Sequence, residues 1–181
     1  MRLTRWEGRD ADGPRAVTVQ HDGPFAPIMQ EVLRKLAKFE DMEDATLKIK
    51  LDPGAYMPER AHDEDAGLDL RAKESAWVHP EEFVVIETGV HVAVPSGYVG
   101  LITSKSGLMA QGITCRGTID SGYTGSIRAV LYNHSKNGIL VTAGDKICQL
   151  VLVPIIAPEL ELVAELEETE RGDGGFGSTG R

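Results

Sequence analysis

Four short polar segments interrupt an otherwise apolar, strand-like chain, and each holds residue types that could do chemistry. Ala66-Gly67-Leu68-Asp69-Leu70 sets one carboxylate beside a glycine in a small, apolar run. By itself this is equally a turn leading into a strand with a half-exposed aspartate. Ser104-Lys105-Ser106-Gly107 combines two hydroxyls, a cation and a glycine, the materials of a phosphate cradle in which backbone N–H groups and an ammonium meet anionic oxygens. Gly117-Thr118-Ile119-Asp120-Ser121-Gly122-Tyr123-Thr124-Gly125 has the form of a hairpin around a Ser-Gly turn. An aspartate and a tyrosine three residues apart there can face one pocket, the first to activate water and the second to offer a flat face to a sugar or base. A turn-stabilising Asp and a packing Tyr would look the same. Near the end of the sequence, Arg171-Gly172-Asp173-Gly174-Gly175-Phe176-Gly177-Ser178-Thr179-Gly180 offers a cation, an aromatic ring and two hydroxyls among glycines. Those groups suit a lid that pairs with phosphates, stacks on a base and donates hydrogen bonds; a disordered tail is the plainer alternative. Its Gly172-x-Gly174-x-x-Gly177 spacing is no dinucleotide fingerprint, because no strand precedes it and no helix can follow before Arg181. A Walker A loop also fails, for no Gly-Lys-Ser/Thr occurs.

Composition narrows the ligands these segments could take. The 181 residues fit one medium domain with short extensions, and a 41% apolar content provides for a core. A formal net charge of −9 repels nucleic acid and anionic membranes, so a phosphate-bearing ligand must be held by a few placed cations or a metal ion. Cys115 and Cys148 form no CxxC, and the five histidines have no metal-ligand spacing. Two free thiols, no signal-peptide pattern and no apolar run long enough to span a bilayer predict a soluble protein of a reducing cytoplasm.

The elements that must position the chemistry are mostly strands. Leu47, Ile49 and Leu51 alternate with polar residues, and further strand-like runs cover Phe83–Glu87, Val90–Val94, Val99–Thr103, Ile127–Asn133, Ile139–Thr142 and Ile147–Pro154. Turn signals at Pro95-Ser96-Gly97, Asn137-Gly138 and Gly144-Asp145 separate them, which predicts a sandwich or barrel and argues against βαβ units. Residues 1–44 read differently. Ile28, Met29, Val32, Leu33, Leu36 and Phe39 share one face of a helix expected from Pro27 to about Glu40. That stripe should bury itself against the main domain or a sister chain, or else dock a protein partner.

The segments AGLDL, SKSGL, GTIDSGYTG, GDKICQL (Gly144–Leu150) and RGDGGFGSTG resemble, in order, the five motifs of the trimeric dUTPases over roughly residues 46–180. MPERAHDEDAGLDL and VPSGYVGLITSKSG are similar to phage and Gram-positive-type members, so the cytoplasm implied is that of a bacterium or a phage-infected host. The resemblance implies an all-β, jelly-roll-like fold, assembled as a homotrimer, with an added N-terminal helical segment. The body would span 45–165 and a Gly-rich arm 166–181 would close over the site. It also implies Mg²⁺-dependent hydrolysis of dUTP to dUMP and pyrophosphate. Asp120 would be the base that activates water, with Gln149 beside the phosphate chain. Tyr123 would pack on the deoxyribose, and backbone groups of Gly117 to Ile119 would read the uracil edge. Asp69 would help hold Mg²⁺ through water; Lys105, Ser106, Gly107, Arg171, Gly177, Ser178 and Thr179 would meet the phosphates; Phe176 would stack on uracil.

Three positions depart from the family pattern. Lys105 stands where Arg is usual, giving a point contact in place of a fork. Gly122 stands where a second Asp is common, and Ser126 where Glu or another polar residue is. The dCTP deaminases share the G-x-I-D-x-G pattern, and Gly122 fits them better. Their catalytic glutamate would fall at Val130, however, and they lack the RGDGGFGSTG-like arm. A regulatory binding protein that uses residues 1–44 is the alternative from outside enzymology.

Overall fold

The computed structural model describes residues 46–174. The helix expected over 27–40 and the arm residues Phe176, Gly177, Ser178 and Thr179 lie outside them. Among the described residues the chain is all-β apart from one helical turn. The strands are β1 (Lys48–Leu51), β2 (Gly67–Arg71), β3 (Ala76–Val78), β4 (Phe83–Ala93), β5 (Tyr98–Ser104), β6 (Ile113–Ile119), β7 (Ser126–Asn133), β8 (Ile139–Val141) and β9 (Lys146–Pro154); the helical turn is α1 (Ser106–Met109).

Seven strands form one antiparallel sheet in the order β1-β4-β7-β6-β5-β9-β2, and β3 pairs with β8. The alternation of the sequence sets the faces. On β7, Ile127, Ala129, Leu131 and Asn133 are buried while Arg128 and Tyr132 are exposed, as a period of two requires. Leu70, Ile86, Val90, Ile102, Ile113, Ile127, Leu131 and Leu150 belong to a single apolar core. Buried Asn133 is satisfied by donating to the carbonyls of Val78 and Asn137 and accepting from Ser135. Cys115 and Cys148 are both buried free thiols.

The strand runs read at Phe83–Glu87 and Val90–Val94 prove to be one bent strand. Its register against β7 shifts between Glu87 and His91. Gly89 takes φ +67°, and Thr88 bridges the irregularity by donating from Oγ to the Ile127 carbonyl while accepting from the Val90 amide. A positive φ at the bend is why glycine stands there. β3, only three residues long, gave no readable alternation.

β6 changes partner along its length. Ile113 to Cys115 pair with β7, whereas Arg116 to Ile119 pair with β5. The hairpin expected at Gly117–Gly125 is therefore splayed: beyond Cys115 its two strands part, and β7 pairs there with β4. Gly100 sits beneath this fork, opposite Ile119. A Cβ there would come within 2.8 Å of Leu150 Cδ1 and 3.1 Å of Ile119 Cβ. Leu150 is fully buried and Ile119 Cβ is fixed to its backbone, so neither can yield cheaply. Gly100→Ala is expected to lower stability by about 1–3 kcal/mol, read as a lower urea midpoint; an unchanged midpoint would show that the fork can widen.

Candidate active site

The first polar cluster is built across three neighbouring strands. Asp69 on β2 lies directly opposite Gln149 on β9, and Gln149 lies opposite Thr103 on β5. Side chains at the same level face the same way, so residues distant in sequence converge. Lys105 Nζ reaches Asp69 Oδ1 at 2.5 Å, and Gln149 Nε2 donates to the same oxygen at 3.0 Å. Gly67 leaves room for this: a Cβ there would lie 3.0 Å from the Gln149 amide carbon.

Lys146 joins the cluster, with Nζ 2.9 Å from Asp69 Oδ2 and 3.0 Å from Glu59 Oε1. Its approach to Oδ2 is that of an ion pair without a directed hydrogen bond, which leaves that oxygen with accepting capacity unused. Glu59 also takes Arg71 Nη2 at 2.5 Å. Lys146 was not among the site residues expected from sequence. On a regular strand, residues 146 and 149 would face opposite ways, but β9 carries one extra residue between Lys146 and Cys148 where β2 steps only from Arg71 to Leu70. The bulge turns Lys146 to the Gln149 side.

Asp69 is 1% exposed, where the sequence allowed a half-exposed residue. Burial pushes its carboxyl pKa up, but the close ammoniums of Lys105 and Lys146 and the Gln149 donor together outweigh this and hold it at about 2. Glu59 is lowered chiefly by its hydrogen bond from Lys146, and Lys146 is raised chiefly by Asp69. The Ser104 hydroxyl, part of the expected cradle, is instead committed to the backbone of Cys115, accepting from its N–H at 2.7 Å and donating to its carbonyl at 3.1 Å. Ser106 and Gly107 are exposed beside Lys105, and a Cβ on Gly107 would meet nothing within 4 Å.

The second cluster lies in the fork of the splayed hairpin. A cleft of about 440 Å³ is lined by Ile119, Asp120, Tyr123, Thr118, Arg128, Val85 and Val130. Asp120 is exposed, and Ile119 beneath it is buried. The Tyr123 amide donates to the Asp120 carbonyl, closing the turn, and the Tyr123 hydroxyl donates to the Ser126 carbonyl at 2.9 Å. Gly125 is required by that ring, since a Cβ would fall 2.4 Å from the phenol oxygen. Gly122 has open space and no positive φ, so neither packing nor backbone demands its glycine. Ser126 donates to Glu87. His91 braces the turn from outside, with Nδ1 2.9 Å from the Thr124 carbonyl and Nε2 3.1 Å from Asp52 Oδ1.

The two clusters do not meet within one chain. Ile119 pairs with Gly100 near one end of β5, whereas Ser104, next to Lys105, pairs with Cys148 at the other. Four residues of strand, roughly 13 Å along β5, separate the two levels. Gly117 lies on the exposed edge of β6, and Arg171 sits in an exposed turn with Nε donating to the Gly174 carbonyl.

Comparison with known proteins gives this pattern a family. The dUTPase family model matches residues 54–180. The chain belongs to the dUTPase family. Its activity is accordingly that of a dUTP diphosphatase. It is 42% identical over 145 residues to the deoxyuridine 5'-triphosphate nucleotidohydrolase of Clostridium tetani, covering 77% of this chain and all of that protein. It is 44% identical over 144 residues to that of Cutibacterium acnes, covering 77% and 94%. Among solved structures, the dUTPase of Staphylococcus bacteriophage 80alpha bound to dUPNHPP superposes with TM-score 0.70 at 37% identity, covering 75% of this chain and 99% of that one. That work describes phage dUTPases as controlling transfer of virulence genes. A variant of the phage phi11 dUTPase, at TM-score 0.63 and 35% identity over 68% of this chain and all of that one, is described as coordinating a structural Mg(II) ion.

The low pKa of Asp69 makes its cluster a pH-dependent element of this dUTPase. Because the folded-state value lies below the ordinary 3.8, the stabilisation is complete above about pH 4 and is lost as pH falls through about 2. Asp69→Asn should therefore be less stable than wild type at pH 6 in metal-free buffer, with the gap narrowing as pH is lowered from 4 toward 2. A gap that stayed constant would show that the carboxylate charge contributes nothing.

Proposed function

We propose that the chain hydrolyses dUTP by attack of water on the α-phosphorus, with Asp120 as the general base. The observation that carries this reading is the cleft that Asp120 and Tyr123 share, lined also by apolar Val85 and Val130. Asp120 accepts the proton of the attacking water, the bond from the α-phosphorus to the bridging oxygen breaks, and pyrophosphate leaves. Tyr123 packs on the deoxyribose where a 2′-hydroxyl would need space, and backbone groups from Gly117 to Ile119 read the uracil edge by donor and acceptor pattern. Val130 stands where a deaminase would need a proton-carrying side chain, so cytosine chemistry has no acid there.

The phosphate chain belongs at the other cluster. Lys105, Ser106, Gly107 and Gln149 meet it there, and Arg171, Gly177, Ser178 and Thr179 close from the arm while Phe176 stacks on the base. Among the described residues no three His, Cys, Asp or Glu side chains converge to cage a metal, but Asp69 is a single buried carboxylate standing beside Lys105 and Gln149. That fits Mg²⁺ held by phosphates and water with a single carboxylate behind it. Bound there, Mg²⁺ would neutralise the charge of the leaving pyrophosphate.

Because one nucleotide must meet both Asp120 and Lys105, the site requires segments of different copies in a closed homotrimer. The separation along β5 supports this, as do Ile156, Leu160, Leu162 and Leu166, which are 86–101% exposed on the extended segment after β9. The division into an extension (1–44), a body (45–165) and an arm (166–181) is part of the same reading. The docking role of residues 1–44 rests on their apolar stripe alone.

Asp120→Asn should reduce pyrophosphate release from dUTP by roughly 10²–10⁴-fold while dCTP yields no ammonia; retained release would remove Asp120 as base. Co-refolding Asp120→Asn with Asp69→Asn subunits should recover part of the activity that each lacks alone. No recovery would place the whole site within one chain.

A further inference from the structure

Asp69, Glu59, Lys105, Lys146 and Arg71 form one connected network of ion pairs. Three cations against two carboxylates leave a net positive charge at the place where a divalent cation is to be held. Both Asp69 oxygens have an ammonium within 2.9 Å, and its side chain is 2% exposed. A hydrated Mg²⁺ approaching the free protein meets an occupied carboxylate and a like-charged surrounding, and it sheds its own water reluctantly.

The two lysines are not equivalent. Lys146 is held by Asp69 and by Glu59, and Glu59 is itself held by Arg71. Lys105 has a single carboxylate partner among the described residues. It stands at the entrance of α1, beside exposed Ser106 and Gly107. Its four-carbon stem lets the ammonium swing without moving the backbone.

We propose that Lys105 is a built-in competitor for the metal: its ammonium occupies Asp69 in the nucleotide-free protein and transfers to the phosphate chain when the metal–nucleotide complex arrives. This rests on the reading that Asp69 serves Mg²⁺. The triphosphate supplies the negative charge that draws Lys105 away, and the vacated carboxylate oxygen then faces the metal's water shell. Lys146 stays, so Asp69 is never left as an unpaired buried charge. The free protein consequently does not load metal ahead of substrate; metal and nucleotide enter together.

The test uses Mn²⁺ as probe, with free Mn²⁺ read by electron paramagnetic resonance on the full chain without nucleotide. Lys105→Met should bind Mn²⁺ at least ten-fold more tightly than wild type, and Lys105→Met with Asp69→Asn should lose that gain. Wild type with a non-hydrolysable imido analogue of dUTP should bind more Mn²⁺ than the protein alone and the analogue alone bind together. Lys105→Met binding no more tightly than wild type would overturn the proposal. So would wild-type Mn²⁺ binding with the analogue that only equals the sum of the two measured separately, which needs no variant. If the proposal falls while Asp69→Asn still weakens Mn²⁺ binding in the presence of the analogue, the metal role of Asp69 survives it; if Asp69→Asn has no effect there either, both fall.

Discussion

A carboxylate almost wholly withdrawn from water must be matched by donors and cations, and much of this molecule's polar architecture answers that need at Asp69. An isolated buried charge would be neutralised or would unfold its surroundings. Here Lys146 and Gln149 converge on it from β9, and Lys105 from the residue that follows β5. Those partners are in place only because β2, β9 and β5 are adjacent and in a fixed register. The demand of one anion thus constrains the register of three strands, and the strands in turn hold Lys105 and Lys146 side by side. Replacing such a network by apolar groups would often be no less stable.

The second constraint is the divided allegiance of β6. A strand that paired with β7 along its whole length would close the hairpin and leave no cleft. Because Arg116 to Ile119 pair with β5 and no longer with β7, which keeps β4 on its other edge throughout, the tip opens around Asp120 and Tyr123. Gly100 and Gly125 mark where this opening crowds the chain, one beneath Ile119 and one beneath the Tyr123 ring. The geometry that makes the cleft also carries it away from the Asp69 cluster, because the two sit at opposite ends of β5.

Much of the fold was legible in the residues. Alternation located most strands to within a residue or two, because a half-buried antiparallel strand imposes a period of two on its sequence. It misread β4 as two strands, since Gly89 signals a turn as readily as a bulge, and it missed β3, which is too short to show a period. Of the candidate site, Asp69, Lys105, Asp120 and Tyr123 were singled out by residue type, and Gln149 by resemblance to the family motifs. Lys146 was hidden because the β9 bulge puts it on a face that its position in sequence denies, and Glu59 because its segment lies outside any regular strand.

The sequence by itself determined the inventory: which side chains could act as base, phosphate ligand, metal ligand and stacking ring, and that strands would carry them. Side-chain chemistry and local periodicity are properties of the chain that survive without a partner. Only the tertiary structure decided that Asp69 is buried among lysines, that Ser104 is spent on the backbone of Cys115, and that Asp120 stands at the far end of β5 from Lys105. Those outcomes depend on which strands become neighbours and in what register, and that is settled by packing the whole core at once.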